Sequence, residues 1–515
     1  MSVTEFPMAC ESANATATPL MIVSDWSMQL RTNQYAFVSS CPISQCHANF
    51  TSPSSSRQAH KQAQESRSRH CRRVYKGRAW ASQPLHVVVQ VWTTAVLGEQ
   101  WSLVGPITAT AAARWKELHG ERSWEGLLRP LDLELRRKVI WYGEMAQATY
   151  DAFNHERHSP HAGLSRFGRK RFFERVMLPG HAAAYRVTRF LYATSSAHAA
   201  KAVAFVKGGH PRSRCRESNW IGYVAVATDA GKSVLGRRDV VVAWRGTIQA
   251  LEWTNNLEFA MVHPSGILGD ATGADAIVHR GWLSIYTSTD PASTHNKDSA
   301  RSQVLAEVRK LVDTYKDEEV SITVTGHSLG AALATLSAFD IAENGYNCTA
   351  SATFPVTAFA FASPRVGGAS FKKRLDTAAA AGLRVLRVRN ARDIVPGYPA
   401  LPYHDVGAEL VIDTSASPYL KAPGDENLWH NLECYLHGVA GAPTASGQGF
   451  EHVVERDVAL VNKSYDALKE EHGVPAAWWV PWNRGMVKGG DGRWRLVDCE
   501  DEDDREDAAV PPVNK

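Results

Sequence analysis

The chain has 515 residues, 44% of them hydrophobic and 21% charged, with a formal net charge of +4. These values are typical of a soluble globular protein and allow two or three average domains, or one large α/β domain with extensions. The longest apolar stretch near the N-terminus is far too short to span a bilayer and no other membrane helix is predicted, so any lipid contact is expected to be peripheral.

Residues 1–105 are rich in Ser, Gln, Arg and His and show no sustained hydrophobic period, so we predict a largely disordered leader. Its basic run at 57–78 and the acidic tail at 499–515 are interpreted as solvated segments, and no nucleic-acid partner is expected. A secretory signal is not predicted, because no basic region precedes an apolar run. A plastid transit peptide is the alternative, although Glu5, Glu11 and Asp25 are unusual in one.

The eight cysteines are spread thinly, without a CxxC pair or a metal-ligand spacing. This pattern favours reduced thiols in a cytosolic protein over a disulfide scaffold. We therefore expect a cytoplasmic location, with the chloroplast as the alternative if the leader acts as a transit peptide.

Order is predicted to begin near Trp115. Asp132 is a candidate N-cap, and Leu135, Val139, Tyr142 and Ala146 follow at the spacing of one helix face. We expect the ordered domain to span 106–498.

Beyond this helix, predicted strands alternate with predicted helices. Strands are predicted at "DVVVAW", "VSITVTG", "VTAFAFAS" and "LRVLRVRN", and helices at "QVLAEVRKLVDTYK", "LGAALATLSAFDIAENG" and "SFKKRLDTAAAAG". Alternation of this kind predicts an α/β fold, with a mostly parallel central sheet flanked by helices.

Ser328 lies in "GHSLG", a G-x-S-x-G motif that a chain this long would contain by chance about 0.2 times. The context is more specific than the motif, because the serine follows a β-branched strand and opens a helix rich in small residues. This is the setting of a nucleophile elbow, in which Gly326 and Gly330 allow a sharp turn. Ser328 is therefore the candidate nucleophile, and the alternative is a glycine-rich turn before an ordinary helix.

A serine nucleophile needs a base and an orienting acid, which follow it in chain order in this kind of fold. Asp393 stands just past the strand "LRVLRVRN", where such an acid belongs; otherwise it is a turn aspartate. The candidate bases are His404, His430, His437, His452 and His472. We favour His430 over His437, which lies seven residues on and is expected on about the same helix face.

Acyl transfer also needs two N–H donors directed at the developing oxyanion. The amide of Leu329, the residue after the nucleophile, is the first candidate. Thr247 in "VVAWRGT" is the second: its hydroxyl could fix its own backbone, and Gly246 would permit a close approach.

Several of these stretches together resemble the class 3 lipases, an α/β-hydrolase family, and within them the plant phospholipase A1 type II group. The resemblance runs from about Trp115 to Asp498, and the leader has no counterpart in the family. It rests on "WEGLLRPLDLELRRKVIWYGEMAQATYDAFN", "VVAWRGT", "GHSLGAALATLSAFDI", "FASPRVGG", "RVRNARDIVPGYP", "SPYLK", "HNLECYLHGVAG" and "NRGMV".

The resemblance implies a serine acyl hydrolase with Ser328, Asp393 and His430 as its triad and Thr247 and Leu329 as its oxyanion hole. The implied activity is hydrolysis of glycerolipid esters, as a phospholipase A1 at the sn-1 position, with no metal or cofactor. The alternatives are a galactolipase, triacylglycerol lipase or soluble-ester esterase, and, outside enzymes, a hydrolase-fold small-molecule receptor.

The segment after Thr247, "IQALEWTNNLEFAMV", matches the place where family members carry an amphipathic helical lid. Leu251, Trp253 and Leu257 are its candidate substrate-binding residues. Trp253, Leu257 and Met261 form a possible lipid-facing stripe at helical spacing, and the alternative is a stripe packed permanently in the core.

Overall fold

The computed structural model describes residues 108–156, 158–159, 161–194, 219–247, 260–268, 277–443, 449–479, 485–488 and 494–497. Within these ranges the strands are β1 (Tyr185–Ala193), β2 (Asn219–Ala227), β3 (Arg238–Trp244), β4 (Met261–Val262), β5 (Val278–His279), β6 (Val320–His327), β7 (Val356–Phe361), β8 (Gly367–Gly368), β9 (Leu383–Asn390), β10 (Tyr403–His404), β11 (Ala408–Ile412), β12 (Gly441–Pro443), β13 (Phe450–His452), β14 (Gly485–Lys488) and β15 (Trp494–Val497).

The α-helices in the same ranges are α1 (Ala109–Ala113), α2 (Trp115–Leu118), α3 (Leu133–Asp151), α4 (Phe172–Arg175), α5 (Pro179–Ala184), α6 (Asp229–Leu235), α7 (Arg280–Thr287), α8 (Ala300–Thr314), α9 (Leu329–Glu343), α10 (Ala369–Ala378), α11 (Glu426–His430) and α12 (Leu432–Ala440). Short 3-10 turns cover Arg169–Arg171, Ala379–Ala381, Val395–Gly397, Val458–Asn462 and Glu470–His472. None of the helices in the described ranges combines the length and apolar character needed to cross a bilayer.

A seven-stranded sheet forms the centre of the protein, in the order β1-β2-β3-β6-β7-β9-β11. From β3 to β11 every neighbouring pair is parallel, whereas β1, β2 and β3 pair antiparallel. The carboxyl ends of β6 and β9 therefore lie at the same edge of the sheet, with β7 between them. The prediction of a mostly parallel α/β fold is confirmed.

Both faces of this sheet are buried, and alternate residues of each strand serve opposite layers. In β3, Val240 and Val242 pack into the cluster that contains the apolar side of α7, α8, α9 and α10. Val241 and Ala243 pack into a second cluster with α3 and α12. A strand covered on both faces by helices is apolar along its whole length, which explains the run in "DVVVAW".

The predicted helices form, with ends that differ by a few residues. Asp132 caps α3, its side chain accepting hydrogen bonds from the amides of Glu134 and Leu135. The helix after Ser328 ends at Glu343, two residues before Gly345, and Tyr315 lies just past the end of α8. The antiparallel strands β1 and β2 were not predicted from the sequence.

Five buried charged side chains join α3 and α12 to residues 456–463. Arg456 pairs with Glu433 at 2.6 Å and lies 3.6 Å from Glu144, while Lys463 pairs with Asp151 at 2.5 Å. Three carboxyl groups thus share two cations. Burial raises the pKa of Glu144 to about 7, against the opposing attraction of Arg456.

This raised pKa predicts a pH-dependent contribution to stability. Between pH 4.5, the ordinary pKa of the carboxyl, and about 7, the folded protein holds a proton on Glu144 that the unfolded chain releases. The contribution of Glu144 to the free energy of unfolding should therefore fall as the pH rises through that window. Urea unfolding measures this change. Between pH 5 and pH 8 the free energy of unfolding of wild type should fall by on the order of 2 kcal/mol more than that of Glu144→Gln. A difference between the two proteins that is the same at both pH values would contradict the assignment.

Candidate active site

Ser328 occupies a tight turn between β6 and α9. Its backbone has a positive φ, at φ 58° and ψ −126°, which is strained for a residue with a side chain. Its amide donates to the carbonyl oxygen of Phe361 in the neighbouring strand β7 at 2.9 Å, which fixes the turn to the sheet.

Two glycines make this turn possible. A side-chain carbon on Gly326 would overlap the backbone of Gly330, and one on Gly330 would overlap the carbonyl oxygen of Trp244 at the end of β3. The residues two before and two after Ser328 therefore approach each other as the sequence predicted. This arrangement places the serine hydroxyl at the edge of the sheet where β6 ends.

The structure brings Ser328, His430 and Asp393 together. His430 Nε2 lies 2.9 Å from Ser328 Oγ, and His430 Nδ1 lies 2.7 Å from Asp393 Oδ2. All three residues are buried. Because the carboxylate can only accept, Nδ1 carries the proton and the lone pair of Nε2 faces the serine hydroxyl. This is the orientation in which an imidazole takes a proton from serine.

Asp393 follows β9 and is held by three donors. Its Oδ1 accepts from the amide of Val395 at 2.9 Å. Its Oδ2 accepts from Tyr435 Oη at 2.6 Å as well as from His430. Sequence reasoning missed Tyr435, which lies on α12, five residues after His430; no motif marks it as a partner of the acid.

His430 and His437 do not share a helix face, so that expectation is wrong. The helix breaks at Asn431, whose extended backbone (ψ 129°) caps α12. His437 Nε2 instead bonds Ser417 Oγ at 2.8 Å, and its Nδ1 lies 3.4 Å from His452 Nε2. The structure thus places His430, and not His437, at the serine.

The two candidate oxyanion donors come from the first turn of α9 and from the segment after β3. Leu329 is the first residue of α9, and amides of the first helical turn have no partner within the helix. A side-chain carbon on Gly246 would overlap Tyr150 Oη and crowd the carbonyl oxygen of His327, so the segment leading to Thr247 packs directly against the elbow. The Thr247 hydroxyl is buried without a hydrogen-bond partner among the described residues, so it does not fix its own backbone there.

A second buried histidine, His327, contacts the backbone of the triad histidine, His430. Tyr150 Oη lies 2.8 Å from its Nδ1, and its Nε2 lies 2.8 Å from the backbone oxygen of His430. Burial lowers the pKa of His327 well below its usual value, and the nearby His430 lowers it further. A neutral ring with its proton on Nε2 therefore donates to His430 and accepts from Tyr150. The motif "GHSLG" could have drawn attention to His327, but its partner Tyr150 is remote in sequence.

The predicted lid residues Leu251, Trp253 and Leu257 lie outside the described residues, so their role stays a prediction. Met261 is described, and it lies in β4, paired with His279 of β5. It therefore does not continue the helical stripe proposed for it. In the part of the chain that is described, no group of three or more His, Cys, Asp or Glu side chains is arranged to hold a metal ion.

The central sheet is mostly parallel and is covered by helices on both faces. A strained serine at the end of one strand is hydrogen-bonded to a histidine, which is hydrogen-bonded to an aspartate. These features define a protein of the α/β-hydrolase class. The family model described as "Lipase (class 3)" matches residues 241–403. The rice protein "Phospholipase A1-II 6" (Oryza sativa subsp. japonica) is 67% identical over 399 residues, which cover 76% of this chain and 97% of that protein. "Phospholipase A1-II 4" from the same subspecies is 56% identical over 398 residues, covering 77% and 98%. The chain belongs to the class 3 lipases, within their plant phospholipase A1-II group.

The contact between His327 and His430 generates a test of positioning. His327→Phe removes the donor that holds the His430 backbone, so kcat for a soluble ester such as p-nitrophenyl butyrate should fall about 10- to 100-fold, as expected for a displaced base. KM should stay within about two-fold, and His327→Gln, whose amide can still donate, should recover part of the loss.

The matched control is His437→Phe, which removes another buried imidazole that does not touch Ser328. It should keep kcat near the wild-type value once its melting temperature shows that it is folded. Equal kcat in His327→Phe and wild type, or equal losses in the Phe and Gln variants, would mean that His327 does not position the base.

Proposed function

We propose that this protein is a phospholipase A1, a serine acyl hydrolase that releases the fatty acid from the sn-1 ester of phospholipids. The observation that carries the proposal is the unbroken hydrogen-bonded series Ser328–His430–Asp393 at the edge of the sheet. The names of the relatives, which are phospholipase A1 proteins, favour phospholipids over the galactolipid and triacylglycerol alternatives. The complete triad argues against a receptor that has lost catalysis.

The geometry supplies both halves of acyl transfer. Ser328 Oγ attacks the ester carbonyl carbon while His430 Nε2 takes its proton, and Asp393 stabilises the resulting imidazolium. The developing oxyanion is stabilised by the amide of Leu329 and by Thr247. The ester C–O bond then breaks, and His430 returns the proton to the departing lysophospholipid oxygen.

The acyl-enzyme is removed by the same groups. His430 takes a proton from water, and the hydroxide oxygen attacks the acyl carbon bound to Ser328 Oγ. When this second tetrahedral species collapses, the fatty acid leaves and the proton returns to the serine. The complete reaction consumes one ester and one water, and its steps are written without a cofactor.

The substrate implies contact with a lipid surface. Phospholipids with long acyl chains are assembled in bilayers or micelles rather than dissolved singly. We therefore extend the proposal to peripheral membrane contact, in which the active-site edge of the domain faces the lipid.

Regiospecificity is tested with phosphatidylcholine carrying different acyl labels at its two positions, beside triacylglycerol and galactolipid. Wild type should release the sn-1 acid at least about ten-fold faster than the sn-2 acid, and Ser328→Ala should lose activity on the order of 10³-fold or more. Preferential sn-2 release, or faster hydrolysis of triacylglycerol or galactolipid, would contradict the phospholipase A1 proposal. More than a few per cent of wild-type turnover in the Ser328→Ala protein would contradict the assignment of the nucleophile.

We also propose a cytoplasmic location, with residues 1–105 dispensable for chemistry. In support, the cysteines of the described ranges, Cys348 and Cys434, are both free. A C-terminal fluorescent tag in plant cells should report cytosol for the full chain and for a chain that starts at Pro106. Import of the full chain alone into chloroplasts would contradict the proposal and identify the leader as a transit peptide.

A further inference from the structure

The loop that follows the catalytic acid exposes an unusual set of apolar side chains. Leu401 is 79% exposed, Ile394 46% and Tyr398 43%. Single exposed apolar residues are normal in soluble proteins, but a cluster of them marks a contact surface. Among the described residues, eight large hydrophobic side chains are exposed. Three of the eight lie in this one loop.

The backbone of the loop is fixed, so the exposed side chains are not the result of a loose chain. Arg365 Nη1 donates to the carbonyl oxygens of Gly397 and Pro399 at 2.9 and 3.0 Å. The amide of Arg365 donates to the carbonyl oxygen of Tyr398 at 2.7 Å. Val395 points inward and is fully buried. The loop therefore anchors itself through its inward residues and holds its outward ones in place.

The apolar surface continues across a small four-stranded sheet in the order β10-β8-β5-β4. Leu401 lies two residues before β10, and Ile277, which is 38% exposed, lies directly before β5. The strand between them, β8, is Gly367–Gly368, and the amide of Gly368 donates to the carbonyl oxygen of Ile277 at 2.9 Å. By this register Ile277 and Leu401 lie at the same end of the small sheet, separated by a strand without side chains.

The loop itself carries one exposed charge, the cation of Arg392. Arg392 is exposed and forms no ion pair within the described part of the chain. Asp393, the sole carboxylate between residues 391 and 404, is buried and faces His430. The next carboxylate, Asp405, is paired with Arg365 and Arg387. A phosphate group would therefore meet the cation of Arg392 on this loop, and the loop itself carries no exposed carboxylate.

We propose that this docking face, formed by Ile277, Arg392, Ile394, Tyr398 and Leu401, seats the enzyme on a phospholipid surface. Ile394 is bonded directly to the catalytic Asp393, so whatever covers the face lies next to the loop that carries the triad acid. A protein there would obstruct the substrate, whereas a lipid surface supplies it. The apolar side chains enter the acyl region, and Arg392 binds the headgroup phosphate. This inference rests on the proposed function.

Vesicle binding tests the docking face without requiring turnover. The full chain carrying Ser328→Ala is sedimented with vesicles of phosphatidylcholine, or of phosphatidylcholine with one fifth phosphatidylglycerol. Adding Leu401→Asp should weaken partitioning about ten-fold or more, because a carboxylate replaces an inserted apolar side chain. Tyr398→Ser should also weaken partitioning onto vesicles. It replaces Leu401→Asp as the test if that variant does not fold. Adding Arg392→Gln should lower the ratio of binding to anionic vesicles over binding to phosphatidylcholine vesicles about five-fold.

The matched control is Val234→Asp, which places the same carboxylate at an exposed aliphatic residue of α6 (47% exposed), outside the docking face. It should bind vesicles within about two-fold of its parent. Unchanged binding in folded Leu401→Asp and Tyr398→Ser, or an equal loss in the control, would overturn the inference. Acyl release is measured separately, so a protein that binds vesicles through this face but does not hydrolyse phospholipid would refute the proposed function and not the docking face.

Discussion

The active site depends on one local constraint, the positive backbone φ of Ser328. Its φ of 58° is held because β6 is hydrogen-bonded on both sides in the parallel sheet and α9 is packed in the core immediately after the turn. Both neighbours of the turn must be glycine, since any side chain there would collide with backbone. The strain is therefore borne by buried elements of the core. It places a hydroxyl group at the start of a helix, where free amides stabilise negative charge.

The other triad members are fixed by groups that approach from separate elements. Asp393 sits on the loop after β9 and is restrained by Tyr435 of α12. His430 is restrained at its ring by Asp393 and at its backbone by His327, which in turn contacts Tyr150 of α3. Because α3 and α12 also share the buried charges around Glu433, the base is tied to the same helices that cover this side of the sheet. The loop beyond Asp393 completes the arrangement, since its inward residues brace the acid and its outward residues form the docking face.

Much of this could be predicted from the sequence, for a physical reason. Strands buried on both faces leave continuous apolar runs, and the elbow requires glycine at two fixed positions, so β3, β6, α9 and the environment of Ser328 follow from local patterns. The break at Asn431 could not be predicted in this way, because helical spacing runs through "WHNLECYLHG" unless the asparagine is recognised as a cap. Tyr150, His327 and Tyr435 act through contacts between residues far apart in the chain, which no local pattern encodes. The antiparallel strands β1 and β2 were also not predicted, and β1 is only partly buried.

The central claim is that Ser328 is the residue whose hydroxyl forms the acyl-enzyme. A chemical trap tests it most directly: the full chain is treated with a fluorophosphonate, digested, and the modified residue located by mass spectrometry. One adduct is expected, on Ser328, formed in proportion to the loss of ester hydrolysis and absent from the His430→Ala protein. Ser417 provides an internal comparison, since its hydroxyl also lies 2.8 Å from a histidine nitrogen but on an imidazole whose pKa burial lowers to about 3. An adduct on Ser417, or inactivation without modification of Ser328, would show that Ser328 is not the nucleophile.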